Sequence, residues 1–166
     1  MSVFRIRVAT EADLPQVQAC LRETWHATYD PIFGAVEVAA ISARWHALET
    51  LRANLTAQNS VFLVAAFADD IVGTASARWS DQGLVTLGRL YVSPRAQSLG
   101  LGRALLSAVI AAFDDVRRVS LEVEPRNTRA IAFYQRQGFR QVAIRAADPI
   151  GNADAAAIFE KTFECN

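Results

Sequence analysis

The stretch Leu90-Tyr91-Val92-Ser93-Pro94-Arg95-Ala96-Gln97-Ser98-Leu99-Gly100-Leu101-Gly102-Arg103-Ala104-Leu105-Leu106 constrains this chain more than any other. An apolar, β-branched run enters a proline turn, passes a G-x-G step and opens an amphipathic helix. Amides in the first turn of a helix have no intrahelical partner, and the helix dipole is positive there. Glycine keeps those amides open to an approaching group. The series of strand, glycine turn and helix N-terminus therefore predicts a site for a phosphate-bearing ligand around residues 97–103. Residue identity excludes two common phosphate motifs. A P-loop needs Gly-Lys followed by Ser or Thr, but Gly102 is followed by Arg103-Ala104. A dinucleotide fingerprint needs a third glycine, and that place is held by Leu105.

Strand and helix patterns alternate along the rest of the chain. Residues 3–8 alternate as a strand, and Thr10 with Asp13 forms a helix-capping pattern. Leu14, Val17, Leu21 and Trp25 follow at helical spacing until Pro31 and Gly34 break it, and a second helical stretch covers 36–55. Residues 61–67 are a continuous apolar strand, with 71–79 returning as its hairpin partner and 84–92 as the next strand. Leu101, Leu105, Ala108, Val109, Ala112 and Phe113 mark the buried face of the helix after the glycines. Residues 119–124 alternate as a strand that Pro125 ends, and Asn127 is a good N-cap for the helix carrying Tyr134. Residues 141–146 and 155–163 form a last strand pair, joined by a loop at 148–152. The order β-α-α-β-β-β-α-β-α-β-β predicts an α/β fold.

With 166 residues, 52% apolar and 20% charged, the chain reads as one globular domain spanning 1–166. Lys and Arg (17) balance Asp and Glu (17), which favours neither nucleic acid nor an anionic membrane as partner. An anionic ligand needs only a local basic group, such as Arg95, Arg103, Arg126, Arg129 and Arg136. Cys20 and Cys165 lack metal-ligand spacing, so neither a disulfide framework nor a metal site is expected. The first seven residues are too few and too charged for a signal peptide, and no apolar run nears the roughly 18 residues of a membrane span. A soluble cytoplasmic protein is expected.

Gln97-x-x-Gly100-x-Gly102 fits the pattern [RQ]-x-x-G-x-[GA], and Leu90-Tyr91-Val92-Ser93-Pro94 fits an L-x-V-x-P lead-in. Downstream, residues 127–139 read N-x-x-A-x-x-x-Y-x-x-x-G-F, with Asn127, Ala130, Tyr134, Gly138 and Phe139 in the fixed places. On these two motifs the chain resembles the GCN5-related N-acetyltransferases over nearly its whole length, most strongly from about Leu84 to Phe139. The resemblance implies the acyl-CoA N-acyltransferase fold, a mixed, mostly antiparallel central sheet with helices on both faces. It implies acetyl-CoA as co-substrate, no metal, and direct transfer of the acetyl group to a primary amine in a ternary complex. The acceptor would be a small-molecule or protein amine, and homodimerisation is a family expectation.

The resemblance also implies roles for particular residues. The amides of Gln97, Ser98, Leu99, Gly100, Leu101 and Gly102, with Arg103, would cradle the pyrophosphate. The main chain of Leu90, Tyr91 and Val92 would run beside the pantetheine arm, with the Tyr91 N–H polarising the thioester oxygen. Asn127 would bond to the same arm, and the Tyr134 hydroxyl would protonate the departing sulfur. Many relatives carry a carboxylate base on the strand before the L-x-V step; Thr86 stands there and is no efficient base, which leaves Glu122 acting through water. His26 and His46 are outside candidates, read as helix-surface residues. Relatives usually carry Gly and a basic residue where this chain has Ser98 and Leu99. The acceptor pocket is expected from the first two helices and from segments 79–83 and 148–154, near Trp25, Tyr29, Phe33 and Trp45, with both tryptophans in the core. The alternative is a non-catalytic acyl-CoA-binding module; Thr86 and the unsettled base favour it, Tyr134 opposes it.

Overall fold

Strand β2 (Ser60–Phe67) shows how the sequence builds the layers. Phe62, Val64 and Ala66 point to one face, against Leu14, Val17 and Leu21 of α1 (Leu14–Phe33) and Leu51 of α3 (Leu48–Leu55). Leu63 and Ala65 point to the other, against Leu101, Leu105, Leu106 and Val109 of α4 (Leu101–Ala111). A strand covered on both faces needs no polar alternation, which is why this run is apolar throughout. The computed structural model describes residues 4–147 and 154–164. Its other elements are β1 (Arg5–Val8), α2 (Ala35–Trp45), β3 (Asp70–Ser80), β4 (Leu84–Val92), β5 (Arg118–Val123), α5 (Thr128–Arg136), β6 (Arg140–Arg145) and β7 (Ala156–Thr162).

The seven strands form one sheet in the order β1-β2-β3-β4-β5-β7-β6. Every neighbouring pair is antiparallel except β4–β5. This is the mixed, mostly antiparallel sheet expected from the motifs, with helices on both faces. No described helix is long and apolar enough to cross a membrane. The loop expected at 148–152 and Cys165 lie outside the described residues.

Local differences from the sequence reading have local causes. Helix α1 runs through Pro31 and ends at Gly34, whose φ of +85° suits glycine and whose N–H reaches the Asp30 carbonyl at 2.9 Å. Pro31 lies within the last turn, so little helix remains for it to disrupt. The stretch 36–55 is two helices, because the chain turns extended at Ala47 (φ −57°, ψ 143°). His46 closes the first of them: its Nδ1 meets Ser42 Oγ at 2.9 Å. At the other end of α1, Asp13 accepts from the Thr10 N–H (2.8 Å) and hydroxyl (2.9 Å) and from both terminal nitrogens of Arg7. The Arg7 guanidinium holds its carboxyl well below the usual range.

Two features of β4 make the site. Ser76 of β3 lies opposite Arg89, yet the next residue, Ala77, lies opposite Leu87, so Gly88 is an extra residue that bulges β4. On its other edge β4 pairs with β5 only through Leu84–Leu87. Beyond that point the strands part and leave the edge of residues 88–92 open.

Candidate active site

The gap between the parting strands is a cleft of about 1150 Å³. Its walls are residues of β4 and β5, helices α1 and α2, the 97–103 turn and α5. The direction of the β4 amides follows from one bond. The Ser93 N–H reaches the Val72 carbonyl of β3 at 2.8 Å. Amide directions alternate along an antiparallel strand, so Tyr91 also turns its N–H to β3, while Leu90 and Val92 turn theirs to the open edge. The Val92 carbonyl agrees, since it faces away from β3 and accepts from Gln97 Nε2 at 2.9 Å. The expectation that Tyr91 N–H serves the cleft is therefore corrected: strand pairing consumes it, and Leu90 presents the amide.

The 97–103 turn is tightly wound. Ser98 sits at φ +68° and Gly100 at φ +77°, both left-handed. Ser98 thus occupies, with a side chain, the backbone conformation that a glycine takes freely. Gly100 caps α4, and its carbonyl receives the Ala104 N–H at 3.0 Å. The amides of Leu101, Gly102 and Arg103 precede the first intrahelical bond and face the cleft mouth without carbonyl partners of their own helix. A Cβ on Gly102 would lie 3.4 Å from Phe133 of α5, so the glycine also permits close helix packing. Leu99 is 55% exposed. Arg103, Arg129 and Arg136 line the rim, exposed. Arg126 lies there too, paired with Glu124 and stacked 4.8 Å over the Phe33 ring. Arg95 pairs with Asp70 and leaves the group.

The sequence profile of the Acetyltransferase (GNAT) family matches residues 20–139. The chain belongs to that family. Among solved structures, this GNAT chain resembles the PaiA N-acetyltransferase of Thermoplasma acidophilum in complex with coenzyme A, with a TM-score of 0.83 at 21% identity over 97% of this chain and 99% of that one. It also resembles the ribosomal-protein-S18-alanine N-acetyltransferase of Escherichia coli, with a TM-score of 0.73 at 21% identity over 99% and 96%. At such identities these likenesses speak for the fold alone. A mycothiol acetyltransferase of Geodermatophilus obscurus is 42% identical over 69 residues, 39% of this chain and 22% of that protein. Another, from Beutenbergia cavernae, is 44% identical over 64 residues, 36% and 22%. The match spans about a fifth of these relatives' length.

In this GNAT chain the cleft brings Tyr134, Asn127 and Glu122 together with the 90–92 edge and the 97–103 turn. Tyr134 is buried between Phe133 and Phe139, at ring distances of 5.2 and 5.7 Å. Burial pushes its phenol well above the usual range, so it stays a neutral donor. Asn127 caps α5 as expected, accepting the Ala130 N–H at 3.2 Å, while its Nδ2 donates to the Tyr29 hydroxyl at 3.3 Å. Glu122 stands on the β5 wall, but its Oε2 is held by Arg145 Nη2 at 2.7 Å. Thr86 is exposed and does not line the cleft. His26 pairs with Asp30 on α1, also outside it.

Sequence reasoning undervalued three residues. Tyr29, bonded to Asn127, lines the cleft together with Tyr91 and Tyr134, so three phenols share its wall. Glu124 is largely buried, and Arg126 holds its carboxylate. Arg89 faces a side pocket beside the cleft. Glycine within a strand is a bulge signal, and Gly88 carries that signal where β4 bulges. The aromatic expectations divide: Trp25 is buried, whereas Trp45 is 47% exposed and lines the cleft. Segment 79–83 is not in the wall, because the β3–β4 turn lies at the opposite end of β4. Of segment 148–154 only Asp154 is described, and it lines the cleft.

His46 is 3% exposed, not on the surface, and its ring meets Trp25 edge-on at 5.2 Å. Burial and the Arg89 charge lower its pKa from 6.5 to about 4. The unfolded chain thus binds more protons than the folded one between those values, and stability rises as pH rises across that window. We expect the His46 imidazole signals in NMR to titrate near pH 4. A midpoint at 6 or above would show a solvated ring.

Proposed function

We propose that this protein is an N-acetyltransferase that moves the acetyl group of acetyl-CoA to a primary amine by direct attack. What carries this reading is the open edge of β4, which lies in the same cleft as the first turn of α4 and Tyr134. Family membership and the coenzyme A complex of a structural neighbour support it. The residues present fit the coenzyme. Unpartnered amides at 101–103 and the exposed Arg103, Arg129 and Arg136 suit phosphates. Backbone groups of Leu90 and Val92 suit an extended amide-bearing arm, which they pair as an added strand would.

Acetyl-CoA supplies the acyl group and a thiol leaving group. The Leu90 amide donates to the thioester oxygen and stabilises the oxyanion that forms as the amine adds to the carbonyl carbon. The amine's proton passes through water to Glu122, whose Oε1 is not the atom engaged by Arg145. Collapse of the tetrahedral intermediate breaks the C–S bond, and Tyr134 donates its hydroxyl proton toward the sulfur. Tyr29, held by the Asn127 Nδ2, adds a polar group to the same cleft.

The alternative, an acyl-CoA-binding module without catalysis, draws on the Arg145 pair that engages Glu122 and on Thr86. Calorimetric titration followed by a thiol-release assay separates the two. Acetyl-CoA and CoA, but not ATP, should bind one to one, and amines should release thiol from the acetyl-CoA complex. Binding without thiol release across a broad amine panel favours the module, and absence of acetyl-CoA binding removes both readings.

A further inference from the structure

Beside the main cleft lies a second pocket of about 370 Å³, reached past Trp25, Trp45, Gly88, Arg89 and Tyr91, which line both. Its remaining wall is Arg44, His46, Thr50, Asn54 and Ser76, and among the described residues no Asp or Glu contributes. The Arg89 guanidinium reaches into this space. It donates through Nη1 to the neutral Asn54 Oδ1 and lies 6.0 Å from the centre of the Phe62 ring. None of the ion pairs among the described residues includes it. His46 brings no competing charge, because it is buried and neutral, and Arg44 adds a second cation at an exposed position.

A part-buried arginine without an anion is unusual, because desolvating its charge costs energy that a paired carboxylate would offset. Burial lowers the Arg89 pKa in keeping with that cost. Its planar fork has further donors suited to a two-pronged carboxylate contact. Trp25 and Trp45 meet edge-on at 5.6 Å beside it and give the pocket an apolar flank. Arg89 directly follows the Gly88 bulge and precedes Leu90, whose amide faces the main cleft. Because Trp25, Trp45, Gly88, Arg89 and Tyr91 line both spaces, a small molecule whose carboxylate meets Arg89 can extend into the main cleft, where Leu90 also stands.

We propose that the side pocket binds a carboxylate of the acceptor through Arg89, so that the acceptor is an amino acid or similar amine that also bears a carboxylate and an apolar body. This rests on the acetyltransferase reading and narrows its substrate class. Tethering β4 to α3 through Asn54 does not account for the absence of acid from the whole pocket wall.

The test does not require the true acceptor. Tryptophan fluorescence of the acetyl-CoA-loaded protein is titrated with 3-phenylpropionate and with its uncharged amide. The carboxylate should bind at least tenfold more tightly than the amide, and Arg89→Ala should abolish that preference while Arg89→Lys keeps part of it. Thermal melts report whether each variant folds; if Arg89→Ala does not, the wild-type ligand pair and Arg89→Lys still decide. Equal binding of the two ligands, binding of neither, or an unchanged preference in folded Arg89→Ala overturns the assignment. Intact acetyl-CoA binding in those cases leaves the acetyltransferase reading standing; loss of acetyl-CoA binding in the wild type removes that reading first.

Discussion

Tyr134→Phe should lower kcat by on the order of a hundredfold while leaving acetyl-CoA affinity within about threefold. The ring contacts to Phe133 and Phe139 survive the change, so the helix keeps its packing. The Tyr134 hydroxyl makes no hydrogen bond among the described residues, and its removal strands no partner. What disappears is a proton donor of the cleft wall, whose burial keeps it protonated throughout the working range. The loss should therefore appear in turnover and not in binding. It should also shrink for acetyl thioesters of more acidic thiols, which leave without help. Steady-state kinetics with calorimetric affinities reads both quantities. A rate within threefold of wild type would take Tyr134 out of the chemistry and return it to the core.

Phe159→Ala should destabilise the fold by about 3–5 kcal/mol. Phe159 is 0% exposed and sits on β7, between Leu121 of β5 and Gln141 of β6. Truncation removes a whole ring from the layer on which β5, one wall of the cleft, rests. For a domain of this size the melting temperature should fall by on the order of 10 °C, measured by scanning calorimetry. Acetyl-CoA at saturation should recover part of the loss, since a ligand of the folded state stabilises it by mass action. A drop under about 1 kcal/mol would mean that Leu121 and its neighbours relax into the vacated space.

The parts of the site that were legible beforehand depend on neighbours in sequence. Gly100, Gly102 and the helix that follows announce themselves because a turn, a cap and an apolar stripe are local requirements. Asn127 is the same kind of signal, and the structure uses it as a cap. Helix α1 shows the limit: a proline near a helix end resembles a stop, yet the helix runs on through Ile32 and Phe33, which pack against the cluster of Trp25, Tyr29, Val38 and Ile41. The break at His46 was harder to see, since a buried histidine bonded to Ser42 has no sequence signature beyond its spacing.

By itself, the sequence determined the order of the strands, the two motif helices and the family they mark, because periodicity, caps and glycine turns act within a few residues; the split of 36–55 into two helices it did not show. Tertiary structure alone decided which β4 amide faces the cleft, since a one-residue bulge at Gly88 and the pairing to β3 set that direction. It alone decided that Tyr29 meets Asn127, 98 residues away, and that Glu122 is tied to Arg145. Arg89 belongs to the same class. In the sequence it is one charge in a strand; only the packing of α2 and α3 over β4 shows that no acid among the described residues comes to meet it. Contacts between distant segments form through side-chain packing and sheet register, and no local pattern encodes them.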